Sequence, residues 1–282
     1  MPNRGGAAAL AILLMTAGPV LAQAPGLGLG AELVDPHVLR VCADPNDLPF
    51  SNQAQDGFED RIAAALAQDL GKKLGFTWQP QVFGFLRLTL DDYRCDLVMG
   101  ITQGNGEVEN SNAYYRSVYA VIYRPHSGFD GIQSLEDPRL KGKRIGIVAG
   151  TPPASILAEN GLLDHVHSYQ LSVNLRFFAP ARDMTEDLEN GKIDVGVLWG
   201  PIAGYFASRS GGKIRIVPLL HESDDGPPMA FSIVMGVRHG EDAWRRQVNA
   251  AIAKEQPTIT RILESYGVPL LDDRNHLIYP GG

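Results

Sequence analysis

An α/β fold of two lobes, each a mainly parallel sheet flanked by helices, joined by two hinge crossings, follows from three features of the sequence. Strand-like apolar runs alternate with helix-period segments along most of the 282 residues, the pattern that builds parallel sheets covered by helices. Two long β-prone runs, 114–124 and 230–237, bracket the second set of alternations. The length suffices for two domains of about 100–200 residues each, and 44% hydrophobic with 20% charged residues suits a chain that buries a core.

The first 22 residues have the parts of a secretory leader. Arg4 gives a positive start, residues 7–16 an apolar run, and Val20-Leu21-Ala22 compact residues at −3 and −1 of a cut after Ala22. That run is too short to span a bilayer, and no later segment is longer, so the sequence predicts export without membrane insertion.

Residues 38–43 read as a buried strand, followed by the polar turn Asp44-Pro45-Asn46-Asp47 and Leu48-Pro49-Phe50-Ser51. Ile62, Leu66 and Leu70 recur on one face of a helical segment over 58–74, with Gly71 or Gly75 marking its end. A strand over 76–82, a short helix over 83–93 and a strand over 96–100 complete the first unit. The run 114–124 is long enough to pass into the next lobe. There, strands at 144–149, 194–198 and 214–219 alternate with helices after Thr151 and over 183–189. The run 230–237 returns, and 242–266 gives one or two helices interrupted at Pro257. Lobe 1 is therefore predicted as 38–122 with 231–282, and lobe 2 as 123–230. Two adjacent crossings make a hinge, and the cleft between the lobes is where a ligand would sit.

Charge and motifs exclude several function classes. A net charge of −7, one more negative once Arg4 leaves with the leader, argues against nucleic acid. No His or Cys spacing resembles a metal site. The glycine-bearing turns 104–106 and 146–150 complete no phosphate or dinucleotide fingerprint, and no nucleophile elbow is present. The sequence predicts no enzyme and no cofactor. Cys42 and Cys95 leave a disulfide open: export permits one, yet in simple strand register they would stand roughly 10 Å apart, beyond bonding reach.

Together these blocks resemble the type II periplasmic solute-binding fold. The strand ending Ala43-Asp44, the Leu48-Pro49-Phe50 turn, Asp96-Leu97-Val98-Met99-Gly100, Gly150-Thr151 and Asp194-Val195-Gly196-Val197 are similar to its polar-amino-acid branch. Four blocks in order, at 42–51, 84–90, 95–100 and 114–119, look more narrowly like the MxaJ/XoxJ family associated with quinoprotein (PQQ-dependent) methanol dehydrogenases. The resemblance implies a periplasmic accessory protein that helps assemble or activate the dehydrogenase, of the lanthanide-dependent type. It implies that dehydrogenase as partner, with its c-type cytochrome as a second candidate. The alternative is the receptor of a transporter for a small ligand that is not an amino acid.

Amino-acid receptors of this fold clamp the α-carboxylate with an Arg after the third strand and the α-amino group with an Asp after a late strand of the second lobe. Here the first position falls near Gly104 and the second on Trp199. A zwitterion without those partners would leave buried charge unpaired. Thr151 and the backbone N–H groups at the helix start beyond it remain as candidate donors. The expected cleft residues are Asp44, Asn46, Leu48, Phe50, Phe83, Thr102, Tyr115, Thr151, Trp199 and Pro201. Phe85 and Tyr119 read as core packing.

Overall fold

The computed structural model describes residues 1–2, 33–171, 174, 175, 177, 179–222 and 226–282. The leader and its cut after Ala22 lie outside the described residues. The elements below all belong to the unit Glu32–Gly282.

Strand β1 (Val38–Ala43) shows the period of two that a strand imposes. Leu39 and Val41 meet Phe58 and Ile62 on one face, while Cys42 joins Val98 and Val234 on the other. Strands β2 (Asn46–Asp47) and β3 (Ser51–Asn52) pair antiparallel in the following turn. Helix α1 (Phe58–Asp69) buries Ile62, Ala63, Leu66 and Ala67 on one stripe. The Asp60 carboxylate accepts the N–H of Gly57 at 3.0 Å, a donor that the helix start leaves open, and the N–H of Asn52 in β3 at 3.0 Å, which ties the turn to the helix. The helix stops just before Gly71, one of the two glycines expected to end it, and not at Gly75. Gly71 takes a φ of +64°, which turns the chain, and β4 (Lys73–Trp78) then pairs with β1 along its whole length.

Helix α2 (Phe85–Leu88) is a single turn, shorter than the predicted 83–93, and β5 (Leu97–Thr102) and β6 (Glu109–Tyr123) follow. Next come β7 (Ile145–Val148), α3 (Pro152–Glu159), β8 (Val166–Tyr169), α4 (Pro180–Glu189) and β9 (Val195–Trp199). Helix α5 (Gly200–Arg209) was not expected from the sequence, and β10 (Arg215–Pro218) and β11 (Ala230–Val237) succeed it. Helix α6 (Asp242–Ser265) runs unbroken through Pro257, against the predicted interruption. Trp244, Val248 and Ile252 before the proline, and Ile259 and Leu263 after it, keep one buried stripe. Burying these side chains, at about 1.5–3 kcal/mol each, outweighs the roughly 3 kcal/mol cost of a mid-helix proline. Short strands β12 (Leu270–Leu271) and β13 (Leu277–Tyr279) close the chain.

The strands form one nine-stranded mixed sheet in the order β4-β1-β5-β11-β6-β9-β7-β8, with β10 also on β6. Two separate, mainly parallel sheets were predicted, and the reason for the difference is β6. Its 15 residues serve both halves. Residues 109–118 pair antiparallel with β11, and 119–123 pair antiparallel with β9, with β10 alongside. The parallel pairs are β1 with β4 and β5, and β7 with β8 and β9.

The last segment also ties the halves together. Leu270 packs in the core of α1 and α6, while its neighbour Leu271 packs in the core of β7 and α3. Ser117 donates from its hydroxyl to the Pro269 carbonyl at 2.6 Å. Helix α5 meets the end of α6 at Gly204, where a Cβ would overlap the Gly267 carbonyl. The rings of Tyr205 and Tyr266 stack beside that contact, 6.2 Å apart.

Cys42 and Cys95 are joined by a disulfide, with Cα atoms 5.5 Å apart. The sequence-based separation assumed that Cys95 already lay in its strand. It does not: the ladder between β1 and β5 begins at Leu97, opposite Val41, and the preceding residues fold onto the face that carries Cys42. A buried ion network fixes that fold. Asp96 accepts from Arg40 at 2.7 and 2.6 Å and from Arg238 at 2.6 Å, and Arg238 also donates to the carbonyls of Leu90 and Cys95.

Candidate functional site

A cavity of about 990 Å³ opens between the turn after β1 and the helices α4 and α5. Its size is that of a ligand pocket at the upper end of the usual range. One wall is the β2–β3 turn, with Asn46, Asp47, Leu48, Phe50 and Asn52. That turn is held by Asp44, whose carboxylate accepts the N–H groups of Asn46 at 2.8 Å and Gln81 at 2.6 Å. The facing wall is the first turn of α4 and the inner stripe of α5, Ile202, Tyr205, Phe206 and Arg209. The end of β9 and the middle of β6 supply Trp199 and Tyr119, whose rings meet edge to face at 5.2 Å. Phe231 completes that group, 5.9 Å from Trp199, in the tilted geometry aromatic rings prefer.

Of the residues expected in the cleft, Asn46, Leu48, Phe50, Thr151 and Trp199 line this cavity. The other five sit elsewhere. Asp44 is buried behind the turn it holds, and Tyr115 is buried against Phe58 in the core. Pro201 is buried in the first turn of α5. Thr102 is exposed at the end of β5, and Phe83 stands 97% exposed on the loop after Gln81. Tyr119, read as core, instead lines the cavity, because β6 changes partners at that residue and leaves its ring against Trp199. The sequence reading missed α5 altogether. Its signal was present, with Ile202, Tyr205 and Phe206 at helical spacing, but Gly200-Pro201 reads as a loop.

Donors for an amino-acid carboxylate are absent at the start of α3. The Thr151 hydroxyl donates to the Val148 carbonyl at 2.6 Å, and the first two helical residues, Pro152 and Pro153, have no N–H. Thr151 and the helix start therefore do not serve as the expected donors.

The charged groups are placed asymmetrically. Asp47 is the carboxylate on the cavity wall, and burial together with the negative charge of Asp44 pushes it up to about 7. Behind the turn, burial pushes Glu59 up to about 8, opposed by a hydrogen bond from the Tyr114 hydroxyl at 3.1 Å. Burial also pushes Asp60 up to about 6 against its two N–H bonds. On the opposite wall stand Arg182 and Arg209. Arg209 lies 3.9 Å over the Tyr205 ring. Among the described residues, no group of three or more His, Cys, Asp or Glu side chains could hold a metal ion. Among them, too, no helix is long and apolar enough to cross a membrane.

No family model matches the chain. Protein MoxJ of Methylorubrum extorquens is 33% identical over an alignment of 286 positions, gaps included, that covers 95% of this chain and 94% of that protein. Protein MoxJ of Paracoccus denitrificans is 26% identical over 263 residues, covering 89% of this chain and 95% of that protein. Among solved structures, the periplasmic binding protein XoxJ from Methylobacterium extorquens AM1 has a TM-score of 0.71 at 40% identity, covering 83% of this chain and 100% of that one. MxaJ from Methlophaga aminisulfidivorans MPT gives 0.71 at 28% identity with the same coverage. An ancestral cationic amino acid solute-binding protein, 22% identical with a TM-score of 0.64 over 81% of this chain and 95% of its own, shares the fold.

Proposed function

Because the chain belongs to the MoxJ/MxaJ/XoxJ family of periplasmic-binding-protein-like proteins, we propose that it is a periplasmic accessory protein. It binds a quinoprotein methanol dehydrogenase, of the lanthanide-dependent type, and helps to assemble or activate it. The observation that carries this reading is the wall of α3. A scaffold shared with amino-acid receptors keeps its cavity but has spent Thr151 on Val148 and put two prolines where carboxylate donors would stand. What remains is an aromatic floor suited to anchoring a protein side chain. In this reading residues 38–122 with 231–282 and residues 123–230 are two lobes about a hinge in β6 and β11, and the chain itself is not catalytic.

Light scattering and pull-down with the purified dehydrogenase test the proposal. A complex, or a change in dehydrogenase activity on adding the protein, is expected. Absence of both with the folded chain overturns it.

The cavity volume supports a second reading, a transporter's receptor for a small ligand other than an amino acid. A tight small ligand would raise the unfolding temperature by several degrees through mass action.

A further inference from the structure

We propose that the cavity takes an extended, acidic peptide segment of the client protein, with a bulky apolar side chain on the Trp199–Tyr119 floor and a carboxylate on the Arg182–Arg209 wall. This deepens the accessory reading and rests on it.

Three observations on the cavity converge on that chemistry. The first is charge. Two guanidinium groups, Arg182 and Arg209, line the cavity against a single lining carboxylate, Asp47, with the Asp44 carboxylate buried behind the turn and occupied by the N–H groups of Asn46 and Gln81. Among the described residues Arg182 makes no ion pair and no side-chain hydrogen bond, and Arg209 bonds only the Tyr205 carbonyl and the Ser208 hydroxyl at 3.5 and 3.2 Å. Their forks are open to a carboxylate, the partner that planar guanidinium fits best.

The second is the set of side-chain amides. Asn46, Gln81 and Gln170 line the cavity from both sides, and their amide groups have no partner among the described residues. A side-chain amide offers a donor and an acceptor together, which matches the alternating C=O and N–H groups of a peptide backbone.

The third is the mouth. Phe83 follows the lining residue Gln81 by two positions and is 97% exposed. Leu171 is 59% exposed and lines the cavity, and Phe177, two residues beyond the lining Leu175, is 73% exposed. Apolar side chains outside the mouth are left in water by a small ligand inside it. A protein whose segment enters the cavity covers them.

Fluorescence anisotropy with two labelled peptides tests this, acetyl-Glu-Phe-Glu-Trp-Glu-amide and the same sequence with Lys for each Glu, with phenylacetate as a small competitor. The Glu peptide is expected to bind at least tenfold more tightly than the Lys peptide. Arg182→Glu, at an exposed position, is expected to cancel or reverse that preference, and Arg209→Lys, which keeps the charge but loses the planar fork, to weaken it. Equal binding of the two peptides, or a preference unchanged in folded Arg182→Glu, overturns the proposal. So does saturable binding of phenylacetate with no binding of either peptide, which would mark a small-molecule receptor. Binding to the dehydrogenase distinguishes the peptide site from the accessory role. If it binds wild type and Arg182→Glu equally, the peptide site fails and the accessory role stands. If it binds neither while the Glu peptide binds through Arg182, the accessory role fails and the site stands.

Discussion

The Thr151 hydroxyl donates to the Val148 carbonyl at 2.6 Å, so the residue that opens α3 satisfies its own turn and faces the cavity without a donor to offer. Free amino acids at 1 mM are accordingly expected to raise the unfolding temperature by less than about 1 °C, since stabilisation by a ligand scales with its affinity. A shift of several degrees with any of them, read by differential scanning fluorimetry, would show that another part of the wall clamps the zwitterion.

Removing the Cys42–Cys95 bond is expected to destabilise the fold. The bond closes a loop with a sequence separation of 53, worth on the order of 4 kcal/mol in chain entropy. The double variant Cys42→Ser/Cys95→Ser should lower the urea midpoint while keeping the far-ultraviolet circular dichroism. Reducing agent should lower the wild-type midpoint and leave the variant's unchanged.

Glu59 sets a dependence on pH. Burial raises its folded value to about 8, above the ordinary 4.5, so between those values the folded chain holds a proton that the unfolded chain has released. Stability from this group is fully present below about pH 4.5 and is lost as pH rises through about 8. Glu59→Gln should flatten the decline between pH 5 and 8 by at least about 1 kcal/mol. Asp47 and Asp60 are raised as well, to about 7 and about 6, so part of the slope should remain. Urea titrations at pH 5, 6.5 and 8 check both statements.

Gly204 packs against the Gly267 carbonyl with no room for a methyl. Gly204→Ala must push α5 away from the end of α6, an overpacking cost of about 3 kcal/mol. The unfolding temperature should fall by roughly 10 °C. Gly211→Ala is no suitable control, because its φ is +63°. Gly106→Ala, with open space and no positive φ, should stay near wild type.

The alternation of strands and helices was legible because each element carries its own period. Leu39 and Val41 against Cys42, and Ile62 with Leu66, identify their faces without reference to distant residues. The joints were not legible. That Tyr119 faces a cavity depends on β6 changing partners there. That Cys95 reaches Cys42 depends on Asp96 being caught between Arg40 and Arg238, residues 142 positions apart at the wider of the two links. Helix α5 was hidden because its opening Gly-Pro looks like a loop until Gly200 is seen packed against the Val118 carbonyl and Pro269. Half of the expected cleft residues failed to reach the cavity for a related reason. Position next to a strand end is readable, but which side of the strand end faces inward is fixed by tertiary contacts.

Strand β6 also limits how this architecture can be recombined. Tyr114 and Tyr115 belong to the core of α1 and α6, Val118 and Val121 to that of β7 and α3, and Ala120 and Ile122 to that of α4 and α5. A chimera spliced from two relatives between the halves would place its seam inside this strand, where neighbouring side chains answer to different cores. Exchange by whole halves is therefore closed to such proteins unless β6 travels with both sets of partners.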